Sequence, residues 1–283
     1  MTKFLIYLLF ALLPTFVYSD NLPTNLAVPG GIVNIPLYKA SSPAPQVFFQ
    51  KKRVLIVKKD NTWTAVIGIP LKTKAGDYSI NVKSGVNRSQ FNFKVYDKQY
   101  PAQYITLKNK RMVNPIATDL KRIRSERPII NKALNTWTAQ AVSHLNFKIP
   151  VKGRLSSPFG LKRFFNNQAK NPHSGLDIAA PTGTAIHAPS SATVINTGSY
   201  YYNGNSVFLD HGQGLISGYF HLSKINVTAG QRVTTNTKLG EIGSTGRVTG
   251  PHLHWNVYLN KTKVDPALFV DELSPSQAEP PKH

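Results

Sequence analysis

Short runs of β-branched and aromatic residues, separated by turn-forming residues, make up most of this 283-residue chain. In the first third the runs are VFFQ, RVLIVKK, TWTAVIGI, DYSINVK and SQFNFKVYD, separated by turn signals such as PGG, KKDN and KAGD. Short strands with a turn about every ten residues are typical of antiparallel sheets packed face to face. We therefore expect a mainly β protein with a β-sandwich-like module at residues 20–98.

The remainder of the chain divides into three parts by composition. Residues 99–149 contain a strand-like run, YITL, and then a helical pattern after Thr118, which Pro128 should divide into two short helices. Residues 150–270 form a second strand-and-turn region that is rich in glycine. Residues 271–283 are polar and proline-rich, and we expect them to be a disordered tail.

Residues 1–19 have the features of an export signal. Lys3 supplies a positive charge, residues 4–13 are an apolar run, and the residues just before Asp20 are small enough for cleavage. The apolar run is shorter than the roughly 20 residues of a membrane-spanning helix. We expect cleavage near Asp20 and an exported protein in the periplasm, or else outside the cell and associated with its wall. A permanent membrane anchor is the alternative.

Positive charge dominates the composition, because 34 Lys and Arg residues against 13 Asp and Glu residues give a net charge of +21. Such a charge favours polyanionic partners such as a wall polymer or a membrane surface, although solubility alone explains it equally well. The sequence has no zinc-finger, RNP or P-loop pattern, so we expect no nucleic-acid binding. It also has no cysteine, which leaves His, Asp and Glu as the only strong metal ligands.

Two segments of the second β region carry a candidate metal site. In TGPHLHWNVYL, the period of a strand places His252 and His254 on one face, opposite the apolar face. In PHSGLD, His173 and Asp177 are four residues apart, which also places them on one face of an extended segment. Two histidine nitrogens and one carboxylate oxygen are the ligands of a catalytic zinc ion with an open position.

The spacing does not decide which of His252 and His254 binds the metal. A zinc hydrolase also needs a base, and the sequence has no HExxH motif to supply a glutamate. The spare histidine of the HLH pair is one candidate for that base. His221, in the strand-like run GYFHLS, is a second candidate.

Six segments in residues 153–266 resemble the lysostaphin/LytM-type zinc endopeptidases that cut peptidoglycan cross-links. They are GRLSSPFG, HSGLD, APTGTAIHAP, GNSVFLDHGQG, GYFHLS and GEIGSTGRVTGPHLHW. The resemblance implies a small, mostly antiparallel β-fold with a groove over the sheet. It further implies that His173, Asp177 and His254 bind one Zn²⁺ per chain, with His221 and His252 as catalytic residues beside it. Asn256 is a departure, since members of this family usually carry an acidic residue there.

We therefore expect an exported, monomeric zinc endopeptidase that hydrolyses the stem-peptide cross-links of peptidoglycan. The alternative is a wall-binding regulator of another hydrolase, in which the N-terminal module and the linker cover an inactive zinc site. A regulatory partner protein is compatible with either hypothesis. Two other histidines are expected to lie outside the catalytic set: His211 as a structural residue, and His187 at the rim of the groove or on the surface.

Overall fold

The computed structural model describes residues 22–40 and 43–273. The predicted export signal lies outside the described residues, as does the predicted tail from residue 274 onward. Residues 271–273 form a turn in which Leu273 packs on the protein core. Among the helices of the described ranges, none is both long enough and apolar enough to cross a membrane.

Two antiparallel sheets form the N-terminal module, as its strand-like sequence predicts. Their orders are β1-β5-β4 and β3-β2-β6-β7. Val47 and Phe49 of one sheet and Ala65 and Ile67 of the other are buried in a common cluster, so the module is sandwich-like. The strands are β1 (Ile32–Lys39), β2 (Gln46–Phe49), β3 (Lys52–Arg53), β4 (Leu55–Lys59), β5 (Thr62–Gly68), β6 (Gly76–Ser84) and β7 (Asn87–Val95).

The linker contains the short strand β8 (Ala102–Ile105), a 3-10 helix (Lys110–Met112) and one helix, α1 (Ala117–Leu134). The prediction of two short helices is wrong, because α1 continues through Pro128. Packing on the C-terminal domain holds both halves of the helix. Arg122 of the first half donates to the carbonyl of Ser199. In the second half, Ala133 packs with Phe208 and Phe220, and these contacts offset the hydrogen bond that proline cannot make.

The C-terminal domain is built on one large sheet. Its strand order is β18-β14-β15-β16-β20-β12-β9, with β21 paired to β20, and a smaller sheet has the order β13-β19-β17. A short strand pair, β10 and β11, extends the linker strand β8, which runs parallel to β10. The strands are β9 (Arg154–Ser157), β10 (Lys162–Phe165), β11 (Gln168–Ala169), β12 (Leu176–Ala179), β13 (Ala185–His187), β14 (Ala192–Tyr200), β15 (Gly204–Gly212), β16 (Leu215–Leu222), β17 (Lys224–Ile225), β18 (Arg232–Val233), β19 (Lys238–Glu241), β20 (His252–Leu259) and β21 (Thr262–Val264), and a 3-10 helix (Pro266–Phe269) follows.

The predicted fold class, mainly β with a helical linker between two β regions, is confirmed. Strand β20 shows why the sequence carried this information. Its alternate residues Leu253, Trp255 and Val257 are fully buried in the core, as the period of two predicts. The core also contains residues from outside the 150–270 region, including Phe147 of the linker and Leu55 of the N-terminal module.

Two buried side-chain amides join the N-terminal module to the C-terminal domain. The Gly68 amide donates to Asn260 Oδ1 (2.7 Å), and Asn260 Nδ2 donates to the Gly68 carbonyl (3.0 Å). In the same way, the Ile56 amide donates to Gln213 Oε1 (3.2 Å), and Gln213 Nε2 donates to the Ile56 carbonyl (3.0 Å). Each amide thereby satisfies both polar groups of one peptide position. We call these two pairs the amide clamps.

Candidate metal centre

Three adjacent strands bring the candidate residues together. Asp177 of β12 and His254 of β20 are register partners, so their side chains leave neighbouring strands side by side. His173 lies in the segment before β12, where its backbone amide donates to the carbonyl of Leu161. His252 is the register partner of Ala179, and His221 lies near the end of β16.

The three side chains expected to bind zinc converge on one point. His173 Nε2 lies 3.0 Å from Asp177 Oδ1 and 3.1 Å from His254 Nδ1, and His254 Nδ1 lies 2.6 Å from Asp177 Oδ1. Ligands in a tetrahedral zinc site are roughly 3.3 Å apart, given bonds of about 2.0 Å. The three donor atoms are therefore only slightly closer than a shared zinc ion would hold them.

Hydrogen bonding decides which nitrogen of His173 faces this cluster. His173 Nδ1 donates to the Pro158 carbonyl at 2.6 Å, so Nε2 directs a lone pair at the carboxylate of Asp177. A lone pair and a carboxylate oxygen repel at this distance unless a cation lies between them. Burial lowers the pKa of His254 to about 4, so this ring is neutral at pH 7 and adds no positive charge to the cluster. The donor set fits a metal ion, and two nitrogens with one oxygen suit zinc.

The second carboxylate oxygen of Asp177 is held by an arginine that sequence reasoning missed. Arg163 Nη2 lies 2.8 Å from Asp177 Oδ2, and the same guanidinium donates to Ser157 Oγ and Gln103 Oε1. Arg163 thus fixes the carboxylate so that Oδ1 faces the two histidines. Burial raises the pKa of Asp177, but its contacts with His254 and His173 outweigh burial and hold that pKa well below its usual value.

The two residues expected to be catalytic lie together beside the metal ligands. The ring centroids of His221 and His252 are 4.9 Å apart, and His252 Nε2 lies 3.8 Å from Asp177 Oδ1. Nδ1 of His221 donates to the Thr245 carbonyl, and Nδ1 of His252 donates to the Gly250 carbonyl. In the neutral form of an imidazole whose Nδ1 donates, Nε2 is the acceptor nitrogen.

Backbone strain marks His221. Its φ of +70° lies in the left-handed region, which non-glycine residues seldom adopt, and its amide donates to the Asn203 carbonyl. Burial lowers the pKa of its ring to about 3, with smaller contributions from His254 and His252, so the ring is neutral at pH 7. The strain and the burial together place an uncharged imidazole at the edge of the metal cluster.

Gly175 allows the close approach that the cluster requires. A Cβ atom at this position would lie 2.6 Å from His254 Nε2 and 2.1 Å from Asn256 Oδ1. Asn256, where an acidic residue was expected from the resemblance, is buried and donates to the hydroxyl of Tyr258. Its Oδ1 has no hydrogen-bond partner among the residues that the structure describes.

Comparison with known proteins places the chain in a family. The model of peptidase family M23 matches residues 171–266, and the model of the M23 N-terminal domain matches residues 25–98. A crystal structure from Pseudomonas aeruginosa assigned to peptidase M23 is 42% identical. It has a TM-score of 0.75 and covers 87% of this chain and 96% of that one. The chain belongs to peptidase family M23.

Two relatives of this M23 protein have names that state an activity. It is 38% identical over 120 residues to the peptidoglycan DD-endopeptidase ShyA of Vibrio cholerae. It is 36% identical over 132 residues to the DD-carboxypeptidase/endopeptidase Mpg of Neisseria meningitidis. These matches cover 42% and 46% of this chain. They cover 28% and 30% of the relatives, so the matched part is less than a third of either relative's length.

A cavity of about 340 Å³ lies over the metal cluster of this M23 chain. Asp177, His221, His252 and His254 line it, together with residues 247–251. The linker contributes to the same cavity through Gln103, Ile105 and Leu107. The cluster is therefore in contact with a space that a peptide segment can enter, and the linker forms part of its wall.

The two histidines expected to lie outside the catalytic set do not line the cavity. His211 is buried, with Nδ1 at 3.1 Å from the Ser191 carbonyl and Nε2 at 2.8 Å from Ser217 Oγ. Both nitrogens therefore have protein partners, as a structural role requires. His187 is half-buried at the end of the short strand β13 and does not line the cavity.

Proposed function

We propose that this protein is an exported zinc-dependent endopeptidase that hydrolyses the peptide cross-links of peptidoglycan. The observation that carries the proposal is the convergence of His173, Asp177 and His254 on one point beside a cavity. Membership of peptidase family M23 and the names of two relatives support the reaction and the substrate. The net charge of +21 suits an anionic wall polymer and an extracytoplasmic site of action.

In this proposal His173 Nε2, Asp177 Oδ1 and His254 Nδ1 hold one Zn²⁺ per chain. Zinc at such a site supplies a Lewis acid that polarises a carbonyl group and lowers the pKa of water. Arg163 keeps the Asp177 carboxylate in the orientation in which Oδ1 faces the two histidines. The amide of Gln103 and the hydroxyl of Ser157 in turn hold the Arg163 guanidinium.

His221 and His252 supply the proton-transfer groups. Because each Nδ1 proton is committed to a backbone carbonyl, each Nε2 is free to accept a proton or a hydrogen bond in the cavity. His252 is the more exposed of the two and lies within 3.8 Å of a ligand atom, so we assign it the base. His221, which is buried and neutral, orients the attacking water by accepting a hydrogen bond from it.

The test is to incubate the protein with purified peptidoglycan and to identify the released fragments by mass spectrometry. We expect cross-linked stem peptides to be cleaved, and cleavage to stop with a chelator, with H254A and with H252A. H187A is the matched control and should retain full activity, because His187 lies outside the cavity. Zinc content measured on each variant separates loss of the metal, expected for H254A, from loss of proton transfer, expected for H252A.

Release of the same fragments by H252A and in the presence of chelator would contradict the proposal. The masses of the fragments also identify the bond. The names of the relatives point to a bond between two D-configured centres, which gives fragments different from those of an oligoglycine bridge.

A second candidate function is a wall-binding regulator whose zinc site is covered. The observation that favours it is strand β8, which pairs in parallel with β10 and contributes Gln103 and Ile105 to the wall of the cavity. In this view the linker strand obstructs the substrate, and the wild-type chain has little activity until the strand is displaced.

Locking the strand distinguishes the two functions. Tyr104 of β8 and Phe164 of β10 are register partners whose rings stack with centroids 4.8 Å apart. Because the chain has no cysteine, a Y104C/F164C variant can form only this one disulfide within the chain. If β8 obstructs the site, the oxidised variant is inactive, and the reduced variant regains the low activity of the wild type because its strand can again be displaced. Equal activity in both states would show that β8 is a fixed wall of an open site.

A further inference from the structure

Arg247 lies in the wall of the cavity and has no part in the mechanism described above. It belongs to the segment between β19 and β20, and its backbone amide donates to the Tyr202 carbonyl at 2.9 Å. The guanidinium carbon is 4.4 Å from the ring centroid of Tyr202 and 4.8 Å from that of Phe165. Both distances are those of cation–π contacts, which hold the plane of the guanidinium and use none of its N–H groups.

The guanidinium of Arg247 has no anionic partner in residues 22–40 and 43–273. Its side chain makes neither an ion pair nor a hydrogen bond there, although a guanidinium has five N–H donors. Burial lowers the pKa of Arg247, and the charge of Arg163 also lowers it, whereas the neighbouring Tyr202 raises it in part. None of these donors is both fully buried and unpaired, so they face the cavity, where an anionic ligand can accept hydrogen bonds from them.

The charged residues that line the cavity indicate the charge of that ligand. Arg154, Arg163 and Arg247 line the cavity, and Asp177 is its one carboxylate among the described residues. The charge of Arg163 is already paired with Asp177, and its Nε and Nη2 groups donate to Gln103, Ser157 and Asp177. Arg154 is exposed to solvent on β9. Arg247 is therefore the half-buried cation that remains available to an anion in the cavity.

The residues that share the cavity indicate where that anion lies. Arg247 lines the same cavity as His252 and Asp177, so a peptide bound over the metal cluster passes close to its side chain. An anionic group on Arg247 therefore belongs to a residue at or next to the bond that is cut. A carboxylate is the anion that peptides offer, and its two oxygens match the fork of a guanidinium.

We propose that Arg247 binds a free carboxylate on the substrate residue beside the scissile bond. The site would then select peptides that carry such a carboxylate over bridges, such as oligoglycine, that do not. This inference rests on the proposed function, because it assumes that peptides enter the cavity. It adds a specificity-determining residue that acts by binding and takes no part in proton transfer.

The test measures binding separately from turnover. N-acetyl-D-alanyl-D-alanine, as the free acid and as its carboxamide, is titrated by NMR into the full-length protein. The proteins are the wild type, R247Q, R247K and R232Q, each with zinc and again after chelation, because a metal would itself attract the acid. Arg232 is the matched control, since it is an exposed arginine of the same domain outside the cavity. Melting temperatures identify any variant that fails to fold.

In the zinc-free wild type and in R232Q we expect the acid to bind about tenfold more tightly than the amide. R247Q should bind the two peptides equally, and R247K should keep part of the preference because it retains charge without the planar fork. If R247Q does not fold, R247K alone gives the test.

Equal binding of acid and amide by the wild type would overturn the inference. A preference for the acid that is as strong in R247Q as in the wild type would also overturn it. If only R247K folds, the same result in R247K would do so. Failure of the wild type to bind the acid at the highest soluble concentration would overturn it as well. These results leave peptidoglycan cleavage intact. Conversely, a preference that disappears in R247Q without any cleavage of peptidoglycan would overturn only the proposed function.

Discussion

At the scale of single residues, Arg163 supports the proposed metal centre. It satisfies the oxygen of Asp177 that faces away from the histidines, at 2.8 Å, and is itself bonded to two polar side chains. Partners of metal ligands commonly contribute a factor of 10 to 100 in metal affinity. We expect R163Q to weaken zinc binding by about that factor, measured by competition with a chromogenic chelator.

Arg154 supplies the control for Arg163. It lines the same cavity but has no bond to Asp177, so R154Q should bind zinc as the wild type does. R163K, which keeps a donor for the carboxylate, should recover part of the affinity. An unchanged zinc dissociation constant in R163Q would show that the strands alone position Asp177.

His211 is a buried residue whose neutral form stabilises the fold. Burial lowers its pKa from 6.5 to about 4, so the unfolded chain takes up a proton before the folded protein does. This contribution to stability is complete above pH 6.5 and is lost as the pH falls toward 4. Between pH 7.5 and pH 5 the loss is about 2 kcal/mol.

Urea unfolding at these two pH values, with zinc present, tests this prediction. H211Q lacks the titrating group, so its free energy of unfolding should fall by about 2 kcal/mol less than that of the wild type. H187Q, at a half-buried strand end, is the comparison and should follow the wild type. Equal losses in H211Q and the wild type would contradict the assignment.

The residues of the metal centre differ in how visible they are in the sequence. His173, Asp177, His252 and His254 stand out because few residue types bind zinc and their spacing matches the period of a strand. Arg163 and Arg247 do not stand out, since a chain with 34 Lys and Arg residues offers no local sign of which ones are buried. Their roles depend on contacts with residues distant in sequence, such as Gln103 for Arg163.

At the scale of elements, helix α1 contains an exposed proline in its interior. Pro128 lacks the N–H that would bond the carbonyl of residue 124, and its ring crowds that carbonyl. P128A should therefore raise the free energy of unfolding by about 1–3 kcal/mol. The gain is limited because the unfolded chain has more conformational entropy with alanine than with proline. Thermal unfolding followed by circular dichroism measures the change.

Ser125, one turn earlier and also exposed, is the matched position for this comparison. S125A should change the stability by only a few tenths of a kcal/mol, because serine and alanine differ little in helix propensity. A destabilised P128A would mean that the ring itself contributes to packing.

The continuity of α1 could not be predicted from the sequence, since it depends on contacts with strands β14 to β16. Strand β20, in contrast, was predictable from the alternation of apolar and polar residues in its own sequence.

At the scale of the whole molecule, the two β regions share a core and are joined by the amide clamps. N260A removes two buried hydrogen bonds and leaves both polar groups of Gly68 unsatisfied. We expect it to lower the free energy of unfolding by about 2–4 kcal/mol. Because the modules depend on each other, calorimetry should show a single transition, shifted to a lower temperature.

N226A is the control, since Asn226 is exposed in the same domain and its side chain bonds no other described residue. Its unfolding should match that of the wild type. Two resolved calorimetric transitions in N260A, of which one or both occur at a lower temperature than in the wild type, would show that the modules fold independently. The sequence indicated two β regions but not this dependence, because neither Asn260 nor Gln213 lies in a recognisable motif.

The shared core has a consequence for how such proteins can diversify. Leu55, Val57 and Val66 of the first module cover apolar residues of the second. A recombination event that carried the hydrolytic half alone into another gene would leave that patch bare and prone to self-association. Lineages of this protein should therefore inherit the two halves together, as one unit.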